Sequence, residues 1–272
     1  MLSKEREEAG PPAPGHRTFV TVEGVSKRFG AGAGSVLAID YADATIGEGE
    51  FVSLLGPSGC GKSTLMKIVA GLVPPTTGKI TIRKEEVKGP FTDAGIVFQR
   101  DLLLDWRTVL DNIFLQIEIR GLKKADFADK AHELLSLVGL EDFEHRSPRE
   151  LSGGMRQRAA ICRALVHDPE LLLMDEPFGA LDALTRDQMG LDLQRIWLTT
   201  GKTALFITHS ISEAVFLSDR VLVMGQRPSR IEQDISIDLE RPRTLDMKES
   251  AGFGTYAKQI RTCFEEMGLL RG

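Results

Sequence analysis

Gly56-Pro57-Ser58-Gly59-Cys60-Gly61-Lys62-Ser63 constrains this chain more than any other stretch, because its spacing describes a loop that wraps a phosphate group. An apolar run, Phe51 to Leu55, precedes it, and a helix-like run, Thr64 to Ala70, follows. Strand, loop and helix in that order are the setting such a cradle needs. The glycines let backbone N–H groups turn inward, and the new helix points its positive end at the anion. Lys62 is placed to reach the β- and γ-phosphates of a nucleotide, and Ser63 to hold Mg²⁺. A Gly-rich turn matching by chance is the bland alternative, and the flanking strand and helix argue against it.

The remaining composition narrows the class. With 272 residues, 42% hydrophobic and 27% charged, the chain can bury a sizeable core. A net charge of -5 argues against a general nucleic-acid binder. Cys60, Cys162 and Cys263 are odd in number and form no C-x-x-C pair, so neither a disulfide framework nor a zinc site is expected. That usage fits a reducing cytosol. Cys60 lies inside the cradle, where Lys62 and a helix start could lower its pKa; it reads as a small filler residue. Residues 1–17 carry charges and then prolines with no apolar run, which reads as a flexible tail rather than a secretory signal. No segment approaches the roughly 20 apolar residues of a membrane span.

Strand patterns recur at Thr18–Val22, Val36–Ile39, Phe51–Leu55, Lys79–Arg83 and Gly95–Phe98, then at Leu171–Met174, Ala204–Thr208 and Arg220–Met224. Gly30 to Gly34 reads as a hairpin loop, since it opens no helix. Helical patterns occupy Thr108–Leu140, the stretch from Gly154, Thr185–Thr200 and Ile211–Leu217. In the first of these, Phe127, Ala131, Leu134, Leu135 and Val138 fall near one face. Strands alternating with helices imply an α/β fold with a mainly parallel sheet covered on both faces, and the helical stretch of about 100–160 reads as an insertion. A helix around Tyr256 to Met267 is the one element expected in a tail after residue 230.

Leu171-Leu172-Leu173-Met174-Asp175-Glu176-Pro177 supplies what the cradle lacks. An apolar strand ending in acids sets carboxylates at the carboxyl edge of the sheet, beside the phosphates. Asp175 is suited to a Mg²⁺-coordinated water and Glu176 to polarising an attacking water. In Leu151-Ser152-Gly153-Gly154-Met155-Arg156-Gln157, Ser152 and two glycines cap a further helix and make a second anion site, with an ordinary Ser cap and Gly turn as the plain alternative.

Taken in order, Gly56 to Thr64, Gln99, Leu151 to Gln157, Asp175-Glu176, Ala180-Leu181-Asp182 and His209 resemble the nucleotide-binding subunit of an ATP-binding-cassette (ABC) transporter over residues 18–230. The resemblance implies a P-loop nucleotide-hydrolase core with an antiparallel β-subdomain and an inserted α-helical subdomain. It implies ATP and Mg²⁺ as ligands. Gly56, Pro57, Ser58, Gly59, Cys60, Gly61, Lys62, Ser63 and Thr64 would hold the phosphates, with Ser63, Gln99 and Asp175 at the metal. Phe29 matches the aromatic that stacks on adenine, where many relatives have Tyr; a core Phe is the rival. Glu176, His209, Gln99 and Lys62 would carry catalysis, and Asp182 matches a loop that crosses a dimer interface.

Further partners come only with the family. They are a second copy packed head-to-tail, so that Ser152, Gly153 and Gly154 of one chain close on the other's ATP, and integral membrane permease subunits. A substrate-binding protein would act indirectly, and the chain would sit on the cytoplasmic face of the inner membrane. Arg100 to Val109 and Val223 to Ile231 are similar to the nitrate/sulfonate/taurine importer group, with Asp105 where relatives often have Pro. There the first stretch borders a groove for a permease helix; subdomain core is the alternative for Leu102 to Trp106. An exporter subunit, a soluble cassette ATPase of DNA repair or translation, and a binding module without hydrolysis are the competing functions. The absence of coiled-coil arms and of a second cassette argues against the DNA-repair or translation class, and the intact acid pair argues against the inactive module.

Overall fold

The computed structural model describes residues 17–270, so the amino-terminal segment read above as a tail lies outside the described residues except for Arg17. Strands β1 (Thr18–Phe29) and β2 (Val36–Gly47) form an antiparallel hairpin around the loop at Gly30–Ser35. Both run further than their expected cores. The reason for β1 is Gly24, whose φ of +56° and N–H bond to Asp43 Oδ1 (2.5 Å) make a bulge where the pattern suggested an end. Strand β3 (Phe51–Leu55) leads through the cradle into α1 (Lys62–Val69). After β4 (Thr77–Ile82), β5 (Glu85–Glu86) and β6 (Ala94–Val97), the chain turns helical.

That stretch is not one helix. It divides into α2 (Val109–Ile113), α3 (Leu115–Ile119) and α4 (Ala128–Leu137). Gly121 ends α3: it takes φ +68°, and the next N–H, of Leu122, closes onto Ile117 O at 3.0 Å. On α4, Ala131, Leu134 and Leu135 are buried, with Val138 just beyond, while Phe127 is half-buried. Then follow α5 (Gly153–Leu165), β7 (Leu171–Asp175), α6 (Ala183–Thr200), β8 (Thr203–Thr208), α7 (Ile211–Leu217), β9 (Arg220–Met224), β10 (Ser229–Ser236) and α8 (Ala251–Glu266).

The strands form one sheet in the order β5-β4-β1-β2-β10-β9-β3-β8-β7-β6. Strands β9, β3, β8, β7 and β6 run parallel; the hairpin side is antiparallel. Alternate residues of β3 serve opposite faces, as a pleat requires. Phe51 and Leu55 join a core with α2 to α8, while Val52 and Leu54 join one with α1 and the hairpin. Phe51 anchors the first core through rings 5.7 Å from Trp197 and 5.9 Å from Phe206.

The chain beyond residue 230 carries more structure than a lone helix. β10 pairs antiparallel with β9, and α8 buries Phe253, Ala257, Ile260 and Phe264, a helical spacing that makes one apolar face. Arg243 is 1% exposed, and its guanidinium donates to Val215 O, Phe216 O and Ser218 O at the end of α7. Burial is the main reason its pKa falls, to about 10, with Arg241 adding to the shift; it remains cationic at neutral pH. The cation therefore caps the negative end of a helix.

Ile260→Ala should cost about 2–5 kcal/mol of unfolding free energy, measured by urea denaturation, because Ile260 is fully buried. A cost near zero would mean that α8 contributes nothing to the core.

Candidate active site

The cradle is built by backbone that only glycine tolerates. Gly61 has φ +120°, and a Cβ there would lie 3.2 Å from Ser229 Oγ and 3.3 Å from Ala38 O. A Cβ on Gly56 would fall 2.8 Å from Met224 O, so β9 presses against the loop. Cys60 is buried among apolar neighbours, and burial outweighs Lys62 in raising its thiol pKa. It is the filler that its position suggested.

Strand register delivers the other groups. Leu55 pairs with Thr208 and Asp175 with Ile207, so β3, β7 and β8 end together at the carboxyl edge. Ser63 donates to Asp175 Oδ1 at 2.7 Å. Lys62 donates to Gly56 O and Pro57 O, both at 2.9 Å, and its Nζ lies 3.6 Å from Glu176 Oε1. His209 Nδ1 is 3.1 Å from Glu176 Oε2. Glu176 is thus held between a lysine and a histidine. Its backbone sits at φ +46°, a conformation that costs a non-glycine residue about 1 kcal/mol or more and that aims the side chain across the strand ends.

The oxygen pair of Ser63 and Asp175 has the hard-donor chemistry that a phosphate-bound divalent cation needs. Among the described residues no group of three or more His, Cys, Asp and Glu forms a metal cage, so any such ion would depend on phosphate oxygens as well. Gln99 lies across from the turn after the acids: its Nε2 would be 3.3 Å from a Cβ on Gly179.

The hydrogen bonds and ion pairs at the strand ends join Ser63 to Asp175, and Lys62 and His209 to Glu176. Phe29 and Ser152–Gly154 sit on other elements. Phe29 ends β1 and is 45% exposed, so it is not core, and Lys27 Nζ lies over its ring, 5.1 Å from the centroid. Ser152 caps α5 by accepting from Met155 N at 3.3 Å. Behind it a Cβ on Gly154 would meet Thr185 Cγ2 at 2.7 Å, so α5 begins hard against the start of α6. Asp182 caps α6, and hydrogen bonds from Thr185 hold its carboxyl below the usual range.

Two residues that brace His209 went unread. Thr208 donates to Glu213 Oε2 at 2.5 Å and accepts from Ser210 N at 2.9 Å, which pins the turn carrying the histidine. Burial raises the Glu213 pKa. The signal was present as Ser210-x-x-Glu213, a helix-capping spacing.

A phosphate cradle, an acid pair at the strand ends and a histidine facing the second acid define a nucleotide-hydrolysing cassette on a P-loop core. The model of the ABC transporter family matches residues 39–179, and the chain belongs to that family. It is 48% identical over 239 residues to an uncharacterized ABC transporter ATP-binding protein of Methanocaldococcus jannaschii, covering 88% of each. It is 46% identical over 259 residues to the taurine import ATP-binding protein of Rhizobium johnstonii, covering 93% of this chain and 99% of that one. A dimeric ATP-binding cassette solved in a post-hydrolysis state with ADP and Pi aligns at TM-score 0.70 and 32% identity, over 81% of this chain and all of the other. As a member of the family the chain binds ATP.

Gly61→Ala should lose nucleotide binding and cost about 1–3 kcal/mol of stability, because the new Cβ meets both a positive φ and close neighbours. Isothermal titration with ATP beside thermal unfolding checks it; a variant with the parent's affinity would show that the cradle tolerates a side chain.

Proposed function

We propose that this chain is the ATP-hydrolysing subunit of a membrane importer for small sulfonates of the taurine type or related anions. One observation carries the reading: Glu176 is held between Lys62 and His209 at the edge where Ser63 meets Asp175. That is the arrangement expected where water must be polarised beside a phosphate. The relative named for taurine import supports this solute class and favours import over the exporter, DNA-repair and translation alternatives.

In this reading the cradle from Gly56 to Thr64 binds the phosphates, and Phe29 stacks on the base. Lys62 leaves the loop carbonyls for the β- and γ-phosphates. Its departure frees one side of Glu176, which then accepts a proton from water as the water oxygen bonds to the γ-phosphorus and the bond to the departing ADP oxygen breaks, with His209 orienting the carboxylate. Ser63, Asp175 and Gln99, together with the phosphates, would hold Mg²⁺, which would supply positive charge to the phosphate oxygens.

A second copy completes the site. The dimeric cassette with ADP and Pi supports this, as does the start of a 13-residue helix at Gly153, where the Ser152 cap takes only Met155 N and leaves the positive helix end facing an anion. The permease would dock on the surface at Leu102 and Trp106, which are 52% and 80% exposed rather than core. Among the described residues no helix is long and apolar enough to cross a membrane. In this reading the permease would hold the chain at the cytoplasmic face. A substrate-binding protein would deliver the solute to the permease.

Glu176→Gln should lower ATP turnover by about 10²–10⁴-fold with nucleotide affinity retained. Phosphate release and ATP titration measure the two; hydrolysis at the parent rate would remove Glu176 from its role. Lys62→Ala should instead raise the Kd for ATP, and an unchanged Kd would count against the cradle.

A further inference from the structure

Gln99 opens a loop that helix α5 grips on both sides. Before it, Phe98 O accepts from Gln157 Nε2 at 3.4 Å. After it, Arg156 Nε donates to Asp101 Oδ2 at 3.1 Å. Arg163, two turns further along α5, donates to two successive carbonyls, Asp101 O at 2.5 Å and Leu102 O at 2.7 Å. Arg156 also ties back to its own helix start through Leu151 O at 2.7 Å.

These bonds hold a backbone that would not adopt this shape unaided. Leu102 has φ +50°, unfavourable for a leucine, and its side chain is exposed, so its own packing does not explain the turn. The fork of one buried guanidinium fits two adjacent carbonyls turned to the same side, a match that a lysine point charge cannot make. Beyond Leu102 the loop is tied again: Leu103 N donates to Asp101 Oδ1 at 3.1 Å and Leu104 N to Asn112 Oδ1 at 2.7 Å. Trp106 is carried at the far end.

We propose that Arg163, aided by Arg156 and Gln157, is a positioning residue for ATP hydrolysis: it locks the Gln99–Trp106 loop to α5, so that Gln99, the Ser152 end of α5 and the exposed Trp106 surface move as one body. The proposal rests on the ATPase reading above for its functional meaning, but its geometry does not.

The test is hydrogen exchange of the full chain without nucleotide, paired with steady-state ATPase kinetics. In Arg163→Met, amides of residues 99–106 should exchange about tenfold faster while β3 and β8 stay within about twofold of the parent. With the same variant kcat should fall about fivefold and KM for ATP should change by less than about twofold. Arg163→Lys should restore part of the loop protection, and Arg156→Met, at a partly exposed site, should give a smaller acceleration confined to the same loop. Exchange unchanged in the loop of either methionine variant, or raised equally throughout the sheet, overturns the proposal, as does a loss confined to KM. Because loop exchange is read without ATP or permease, failure of the importer reading leaves that outcome intact.

Discussion

The register between β3, β8 and β7 is the constraint on which the rest depends. Hydrogen bonding fixes Leu55 against Thr208 and Ile207 against Asp175, which sets the cradle, the histidine and the acid pair at one level. A slip of one residue would reverse every side chain on a strand, burying Asp175 or turning its neighbours outward. The apolar residues on both faces of these strands make such a slip costly. Site geometry is thus maintained by the same burial that maintains the fold, and the acids themselves contribute little to holding the strands in place.

Much of this was legible in the primary structure because it is local. The spacing of Gly56, Gly61, Lys62 and Ser63 dictates a turn whatever the rest of the chain does. Leu171 to Met174 has the continuous apolar character of a strand buried on both faces. Ile211–Leu217 and Arg220–Met224 also emerge with the bounds their patterns implied. Local spacing could not reveal the grip of Arg163 on the backbone some 60 residues earlier, since a guanidinium bound to carbonyls leaves no mark in the partner's residue types. The break of the helical stretch at Gly121 and the bulge at Gly24 were likewise hidden. A single glycine is compatible with either outcome until its dihedral is known: Gly121 ends a helix that the pattern ran through, and Gly24 bulges a strand that the pattern ended.

The helical insertion and the sheet meet mainly through α5, which packs on β6 and starts against α6. A Cβ on Gly95 of β6 would come within 2.2 Å of Ala164 O, so that contact is made backbone to backbone. Close approach of this kind leaves little slack. Movement of the insertion relative to the sheet must then pivot at this contact or carry β6 with it, and Gln99 follows β6 by two residues.

The buried cation at position 243 sets a limit on how the chain can be edited. Its side chain satisfies three carbonyls at the end of α7, and Gln194 holds its backbone N–H at 2.7 Å and its carbonyl at 2.8 Å. A version shortened at the last cassette strand would strip that helix of its lid and expose the groove left by α8. Affinity tags, fluorescent fusions and minimal domains built on this cassette therefore belong outside the region from Arg243 to Glu266, even though no nucleotide-binding motif lies there.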